Sequence, residues 1–301
     1  MYILEPISKE RIWGTPRLHQ YRGDGEIETI GSVYSASGIP GIDCCVRNTD
    51  CTLNALIQQD PQKFGLKPGD VYPLIISFTA CDENLSIQVH PTDEYARSHE
   101  NMPYGKSEAW YFLTPPTAGW IYAEQLTQDK QAINEAAKQN QYEKVLKKYP
   151  VADKDLIYIP SGTIHALTKG SLVYEIQQAT DITYRFYDYD RVDKNGKKRD
   201  LHVDAALETL VSQQQVEKKT FELGETVSQR EFTIEHLEVA GEINNPAPIA
   251  SVLTILAGEL ILAENVCQAG QSLLLLPGEE AILPGKAECV LATPTSYWRY
   301  S

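Results

Sequence analysis

A mainly β chain of antiparallel sandwiches or barrels with short helical insertions is the fold class the sequence predicts. Short β-rich runs punctuated by turn residues fill most of its 301 residues. Helical periodicity is confined to a few segments, and glycine-containing turns separate the apolar runs near the end. In order, the predicted strands are TIGSVYSASGIPGI (29–42), VYPLIISFTA (71–80), LSIQVHP (85–91), AWYFLT (109–114), DLIYIP (155–160) and SLVYEIQQ (171–178).

Two segments interrupt them: TLNALIQQDPQKFG from Thr52, and Leu126 to Pro150, where Ile133, Ala137, Val145 and Leu146 fall near helical spacing and Pro150 closes the helix. A third helix, VDAALETLVS from Val203, ends the first domain, and polar QQQVEKK reads as a connector. The boundary falls near 215 to 240. We therefore divide the chain into a catalytic domain over 1–235 and a small β domain over 236–301, whose runs SVLTILAGELILAE, QSLLLLPGEEAILPG and AECVLATP contain no histidine. The basic stretch DKNGKKRD is read as a solvated hairpin with a type I′ turn at Asn195-Gly196.

Composition narrows the function. Twenty-seven lysines and arginines against 41 aspartates and glutamates give a net charge of −14, which repels nucleic acid and anionic membranes. The N-terminus has acidic Glu5 and no signal-peptide core, and the apolar runs are far too short to span a bilayer. Six cysteines without a CxxC pair read as reduced, mostly buried thiols of a cytoplasmic protein, with Cys44 and Cys45 on opposite faces of one strand.

The chemistry gathers at a few positions. Gln88 and His90 lie two apart on a strand, so both project from one face. Glu108 begins an aromatic strand, and His165 follows a turn in which Pro160 fixes φ and Gly162 permits the bend. Two imidazoles, a carboxylate and an amide oxygen suit a divalent ion, zinc first, with iron and manganese open. One anionic ligand leaves the ion net positive and able to polarise an exchangeable oxygen. Taken singly, each residue has a plainer reading: Gln88 as a surface residue, Glu108 as a salt-bridge partner, the histidines as satisfied core groups. His19, His99, His202 and His236 are read as surface or packing histidines, and Trp13 either lines the pocket or plugs the first sheet.

These residues lie in SIQVHPTDEYA (86–96), YGKSEAWYFL (104–113) and IPSGTIHAL (159–167), and with RIWG (11–14), EIQQATDITYRFYDYDR (175–191) and KRDLHVDAAL (198–207) they resemble the short bacterial type I mannose-6-phosphate isomerases of the cupin superfamily. The resemblance implies two cupin-like jelly-roll (double-stranded β-helix) domains, the second degenerate and without ligands. It implies one zinc per chain on Gln88, His90, Glu108 and His165, and interconversion of mannose 6-phosphate and fructose 6-phosphate through an enediolate. Arg185 takes the place of the active-site arginine, suited to phosphate capture or to stabilising the enediolate oxygen.

Lys106, on the face of Glu108, is a candidate base; a phosphate-binding or ion-paired ammonium is its alternative. Arg185, Lys106 and Arg191 could form the basic cluster a sugar phosphate needs, with Ser86, Glu175 and Asp181 as substrate-binding candidates. Longer family members resemble His-Lys-Pro-Glu where this chain has Gly105, Lys106, Ser107 and Glu108, so their ring-opening histidine has no counterpart, and the chain lacks room for their helical domain. A non-catalytic cupin sensing sugar phosphates is the competing reading. An iron oxygenase is disfavoured by Gln88. The partner is a small molecule, in a monomer or homodimer.

Overall fold

A computed structural model describes residues 1–299 and is mainly β, with antiparallel sheets and short helices. Contacts group the chain into two compact units, each discontinuous in sequence: residues 1–10, 16–78 and 221 onward, and residues 11–15 with 79–220. This grouping does not follow the division at 235. The reason lies in the first strand, Tyr2–Leu4, which adds to the edge strand Ser272–Leu275 with Ile3 opposite Leu273.

In the first unit, the strands run in the order Tyr2–Leu4, Ser272–Leu275, Ser251–Leu262, Glu280–Pro294, Phe232–Asn244 and Thr226–Ser228, with Asn265–Gln268 paired to Ser251–Leu262. One face is apolar: Ile3, Val239, Leu253, Ile255, Leu273, Leu275 and Cys289 share one core. Phe232–Asn244 begins before position 236, so the C-terminal strands extend further upstream than the sequence reading placed them.

The second unit has two layers. One contains Glu217–Thr220, Asp155–Ile159, Glu108–Thr114 and Leu172–Gln178; the other has Tyr184–Tyr187, Ile87–Val89, Ile164–Ala166, Trp120–Gln125 and Leu146–Pro150, each in that order. Trp110, Phe112, Ile157 and Val173 of the first layer pack with Ile121 and Ala123 of the second, and Trp13 joins this core as a plug. Strand alternation turns Ile87, Val89, Ile164 and Ala166 to the outer face. There, Ile133 and Ala137 of helix Lys130–Lys138 and Ala206 of helix Val203–Thr209 cover them. Gln88 and His165 are left facing inward.

Three local expectations are corrected. The predicted helix to Pro150 stops at Lys138, Asn140 adopts a left-handed φ of 55°, and Leu146–Pro150 pairs with Trp120–Gln125. Its strand character comes from that pairing, since LKKYP has no clean alternation of buried and outward residues to set against the helical template. The connector contains the strand Glu217–Thr220, an exposed edge whose lysines discourage further pairing. The basic hairpin forms, closed by Val192 and Lys198, but only Gly196 of the Asn195-Gly196 pair has a positive φ, so the turn is not type I′. The Asp193 carboxylate supplies the alternative, accepting from the amides of Asn195 and Lys197.

Among the described residues all six cysteines are free; Cys44 is buried and Cys45 exposed, although they lie in no strand, Cys45 making only an isolated bridge to Thr52. No helix among them is long and apolar enough to cross a membrane.

Candidate metal centre

Inward-facing side chains of the second unit meet where its two layers approach. His165 pairs with Gln88, and Gln88 with Arg185, across three neighbouring strands, forming one lateral row. The turn before His165 is local in origin. Thr163 donates its amide to the Pro160 carbonyl, and Gly162 has φ 85° with its amide on the His90 carbonyl at 2.9 Å. A Cβ at Gly162 would come within 2.7 Å of Val211 Cγ2, so glycine is required by conformation and by space.

Glu108 is fully buried at the start of its strand, and its position depends on Gly105. There a Cβ would sit 2.0 Å from the Pro91 carbonyl oxygen, because this segment is fastened to the one after His90 through the Lys106 amide. The bulk of a histidine at this position is excluded by that approach.

His90, Glu108 and His165 each offer a ligand atom, and these atoms lie within 4.8 Å of one another. His90 Nε2 is 3.3 Å from Glu108 Oε2 and His165 Nε2 is 3.3 Å from Glu108 Oε1. The outer ring nitrogens are already committed: His90 Nδ1–H donates to the Ile182 carbonyl at 2.9 Å and His165 Nδ1–H to that of Thr163 at 2.8 Å. That tautomer leaves both Nε2 lone pairs aimed inward.

His90 Nε2 and both Glu108 oxygens are buried without a hydrogen-bond partner. Buried acceptors without a hydrogen bond are costly, and three converging on one point fit a cation. Burial and then the Lys106 charge push His90 down to about 3, which keeps it a neutral ligand. Burial would raise the Glu108 carboxyl, but Lys106 and His90 outweigh it and hold the group well below the usual range.

Gln88 borders this cluster, with its amide nitrogen 3.4 Å from His165 Nε2. Rotation about its last side-chain bond would present Oε1 instead. Ser86 Oγ lies 3.4 Å from that oxygen. Lys106 is buried, with Nζ 3.2 Å from Glu108 Oε2.

Glu175 accepts from Thr79 Oγ1 at 2.7 Å and from Trp110 Nε1 at 3.4 Å, and burial followed by the Glu108 charge pushes its carboxyl up to about 7. Trp110 meets His165 edge to face, with 5.5 Å between centroids. The sequence reading missed this tryptophan as a link between Glu175 and the cluster, because AWYFLT offers only the signal of an apolar strand.

Arg185 is half-buried at the row's end, and Asp181 is exposed among the charges acting on it. Among the described residues, the structure thus brings Gln88, His90, Lys106, Glu108, His165 and Glu175 together, with Ser86 and Arg185 flanking.

No family model matches the chain. It is 31% identical over 288 residues to a mannose-6-phosphate isomerase of Streptococcus mutans, covering 91% of this chain and 89% of that one. Over 211 residues it is 36% identical to a probable mannose-6-phosphate isomerase of Bacillus subtilis, covering 69% of this chain and 67% of the relative. The crystal structure of the mannose 6-phosphate isomerase from Bacillus subtilis superposes with a TM-score of 0.82 at 27% identity, over 97% of this chain and 99% of that one. Agreement over nearly the whole length, in sequence and in cupin fold, places this chain in the mannose-6-phosphate isomerase family.

Proposed function

We propose that the chain is a metal-dependent aldose–ketose isomerase that interconverts mannose 6-phosphate and fructose 6-phosphate. The observation that carries the reading is the convergence of ligand atoms from His90, Glu108 and His165, with His90 Nε2 and both Glu108 oxygens lacking a hydrogen-bond partner, in a chain related to named isomerases. With Gln88 as a fourth donor, these residues would hold zinc; two imidazoles, one carboxylate and an amide suit that ion best. When bound, it supplies Lewis-acid polarisation of the sugar's oxygens.

The rest of the chemistry falls to the chain's own groups. A proton leaves C2 of the open-chain aldose, its electron pair forms the C1–C2 double bond as the carbonyl pair moves to O1, and transfer of the O2 proton to O1 with reprotonation at C1 gives the ketose. Lys106 and Glu175 are the groups we assign to proton transfer. Glu175 is buried beside the cluster, and burial raises its carboxyl above the ordinary range, which suits it to carry a proton; Lys106 answers the charge that develops on oxygen. Arg185 is assigned to the phosphate or to the enediolate oxygen; Ser86 and Asp181 are assigned to sugar hydroxyls. We assign the degenerate, ligand-free cupin to the sheet that residues 236–301 share with Tyr2–Leu4, Thr226–Ser228 and the start of Phe232–Asn244. We place the enzyme in the cytoplasm on its cysteine usage.

The test is turnover of mannose 6-phosphate before and after chelation, with metal analysis of the purified protein. Loss on chelation and recovery with zinc is expected. Activity that survives complete metal removal refutes the metal-dependent mechanism, and bound metal without turnover points to a sugar-phosphate sensor. Arg185→Ala should lower turnover while leaving the metal content near one per chain.

A further inference from the structure

The hairpin after Arg185 contains a buried ionic knot. Asp188 is 4% exposed, and its carboxylate serves two guanidiniums. Arg199 donates Nε to Oδ2 at 2.7 Å and Nη2 to Oδ1 at 2.6 Å, while Arg191 donates Nη2 to Oδ1 at 2.5 Å. Arg191 is further held by donating Nη1 to the Asn84 carbonyl at 2.6 Å and by lying 5.0 Å from the Tyr189 ring centroid.

The chain bends sharply to allow this. Tyr189 and Asp190 are both left-handed, with φ of 56° and 54°. That conformation is unfavourable for a side chain as bulky as tyrosine, and it survives where the surroundings fix it for a reason.

The knot is next to Arg185. After Arg199 the chain returns alongside it: the His202 amide donates to the Arg185 carbonyl at 2.7 Å and the Arg185 amide donates to His202 Nδ1 at 3.2 Å. Arg185 Nε is buried without a hydrogen-bond partner. Burial and then the Arg199 charge push its guanidinium down from the ordinary value, with Asp188 acting in the opposite sense. Arg185, Arg191, Arg199 and Arg11 against the carboxylates of Asp188 and Asp181 leave a local excess of two positive charges, in a chain whose net charge is −14. A phosphate dianion matches that excess, and planar guanidiniums match its oxygens.

Resting on the isomerase reading, we propose that Asp188 is a positioning residue which locks Arg199 beside Arg185, so that the two guanidiniums together grip the phosphate of the sugar substrate. Asp188 would itself repel phosphate and acts only through the arginines. Its carboxylate prevents a swing outward: a cavity of about 340 Å³ lined by Asp188, Arg191, Arg199, Tyr187 and Lys198 adjoins the knot and would accept a released guanidinium. An arginine already held in place loses less conformational freedom on binding.

The experiment is steady-state kinetics on mannose 6-phosphate, with inorganic phosphate as competitive inhibitor, for the wild type and for Asp188→Asn, Arg199→Met and Arg199→Lys. Asp188→Asn and Arg199→Met should raise KM and the phosphate inhibition constant together by about 10- to 100-fold, with kcat within about threefold. Arg199→Lys should recover part of the loss. A folded Asp188→Asn or Arg199→Met enzyme with both constants within about threefold of wild type overturns the proposal, as does a fall in kcat at unchanged KM. Should Asp188→Asn fail to fold, the two Arg199 variants decide. A wild type that does not turn over mannose 6-phosphate sinks the isomerase reading and the clamp with it; an active wild type with unaffected Arg199→Met sinks the clamp alone.

Discussion

Each compact unit contains a histidine buried against a glutamate, yet the two arrangements are chemically opposite. In the first unit, His236 is 2% exposed and satisfied: Nδ1 meets the Phe221 carbonyl at 3.1 Å and Nε2 meets Glu288 Oε1 at 2.8 Å. In the second, His90 and His165 spend only Nδ1 on the backbone, and Nε2 of each points toward a carboxylate whose two oxygens accept no hydrogen bond, Oε2 having only the Lys106 ammonium as an ion-pair neighbour at 3.2 Å besides the histidines. Burial of a histidine beside an acid therefore says little about function. Stranded donor atoms that face one another, once the outer nitrogens are occupied, distinguish a ligand set from a packed polar pair.

The largest effect should come from breaking that difference directly. His165→Ala and Glu108→Gln are expected to lose bound metal and to reduce turnover by at least about 10³-fold. His236→Leu should keep both and cost about 1–2 kcal/mol in urea unfolding, the value of a lost buried hydrogen bond and an abandoned carbonyl. Metal analysis, turnover and denaturation on the three variants provide the check. If His236→Leu also strips the metal, the contrast drawn between the two sites fails.

A smaller effect separates holding the metal from moving the proton. Lys106→Met should lower kcat by about 10²- to 10⁴-fold while metal content stays near wild type. Its Nζ is 3.2 Å from Glu108, so removing it also strips a counter-ion from the ligand. Zinc affinity measured alongside kcat shows which loss dominates; weakened affinity with kcat intact would mean that Lys106 serves only the ion pair.

The centre was more legible in the sequence than the scaffold because its cues are local. PSGTIH contains its own turn, and QVH its own face, so Gly162, His165, Gln88 and His90 could be placed without knowing the tertiary fold. The pairing of Tyr2–Leu4 with Ser272–Leu275 could not, since an edge strand chooses a partner across the whole chain. Leu146–Pro150 was hidden by a helical period that its neighbours share. The roles of Asp188 and Trp110 were invisible for a further reason: each depends on what arrives from elsewhere, Arg199 around a left-handed bend and Glu175 on a neighbouring strand. Composition also placed the hairpin turn correctly while missing its type, because the Asp193 side chain, not Asn195, organises it.

The turn before His165 makes a more modest prediction. Gly162→Ala forces a side chain into a φ of 85° and to within 2.7 Å of Val211 Cγ2. A destabilisation of about 1–3 kcal/mol is expected, together with weakened zinc binding, because the residue that moves is tied to the His90 carbonyl on one side and leads into His165 on the other. Thermal unfolding and a zinc competition titration test both parts. A destabilised variant with wild-type zinc affinity would show that strand pairing, and not the turn, orients the histidine.

The smallest effect concerns acid, and it distinguishes the ionic knot from the partnered histidine of the other unit. Burial alone would raise the Asp188 carboxyl, but the hydrogen bonds from Arg199 and Arg191 outweigh it and hold the group below its ordinary value. A carboxyl depressed on folding adds stability that is complete above its unfolded value, near 3.9, and is lost as pH falls through the lower folded value. The advantage of wild type over Asp188→Asn in urea midpoint should therefore be level from neutrality to about pH 5 and shrink below it. Measuring both proteins after chelation keeps metal release out of the comparison, and His236→Leu, which leaves Asp188 intact, should follow the wild-type acid slope there. An advantage that persists undiminished to pH 2 would mean that the knot contributes packing in place of charge.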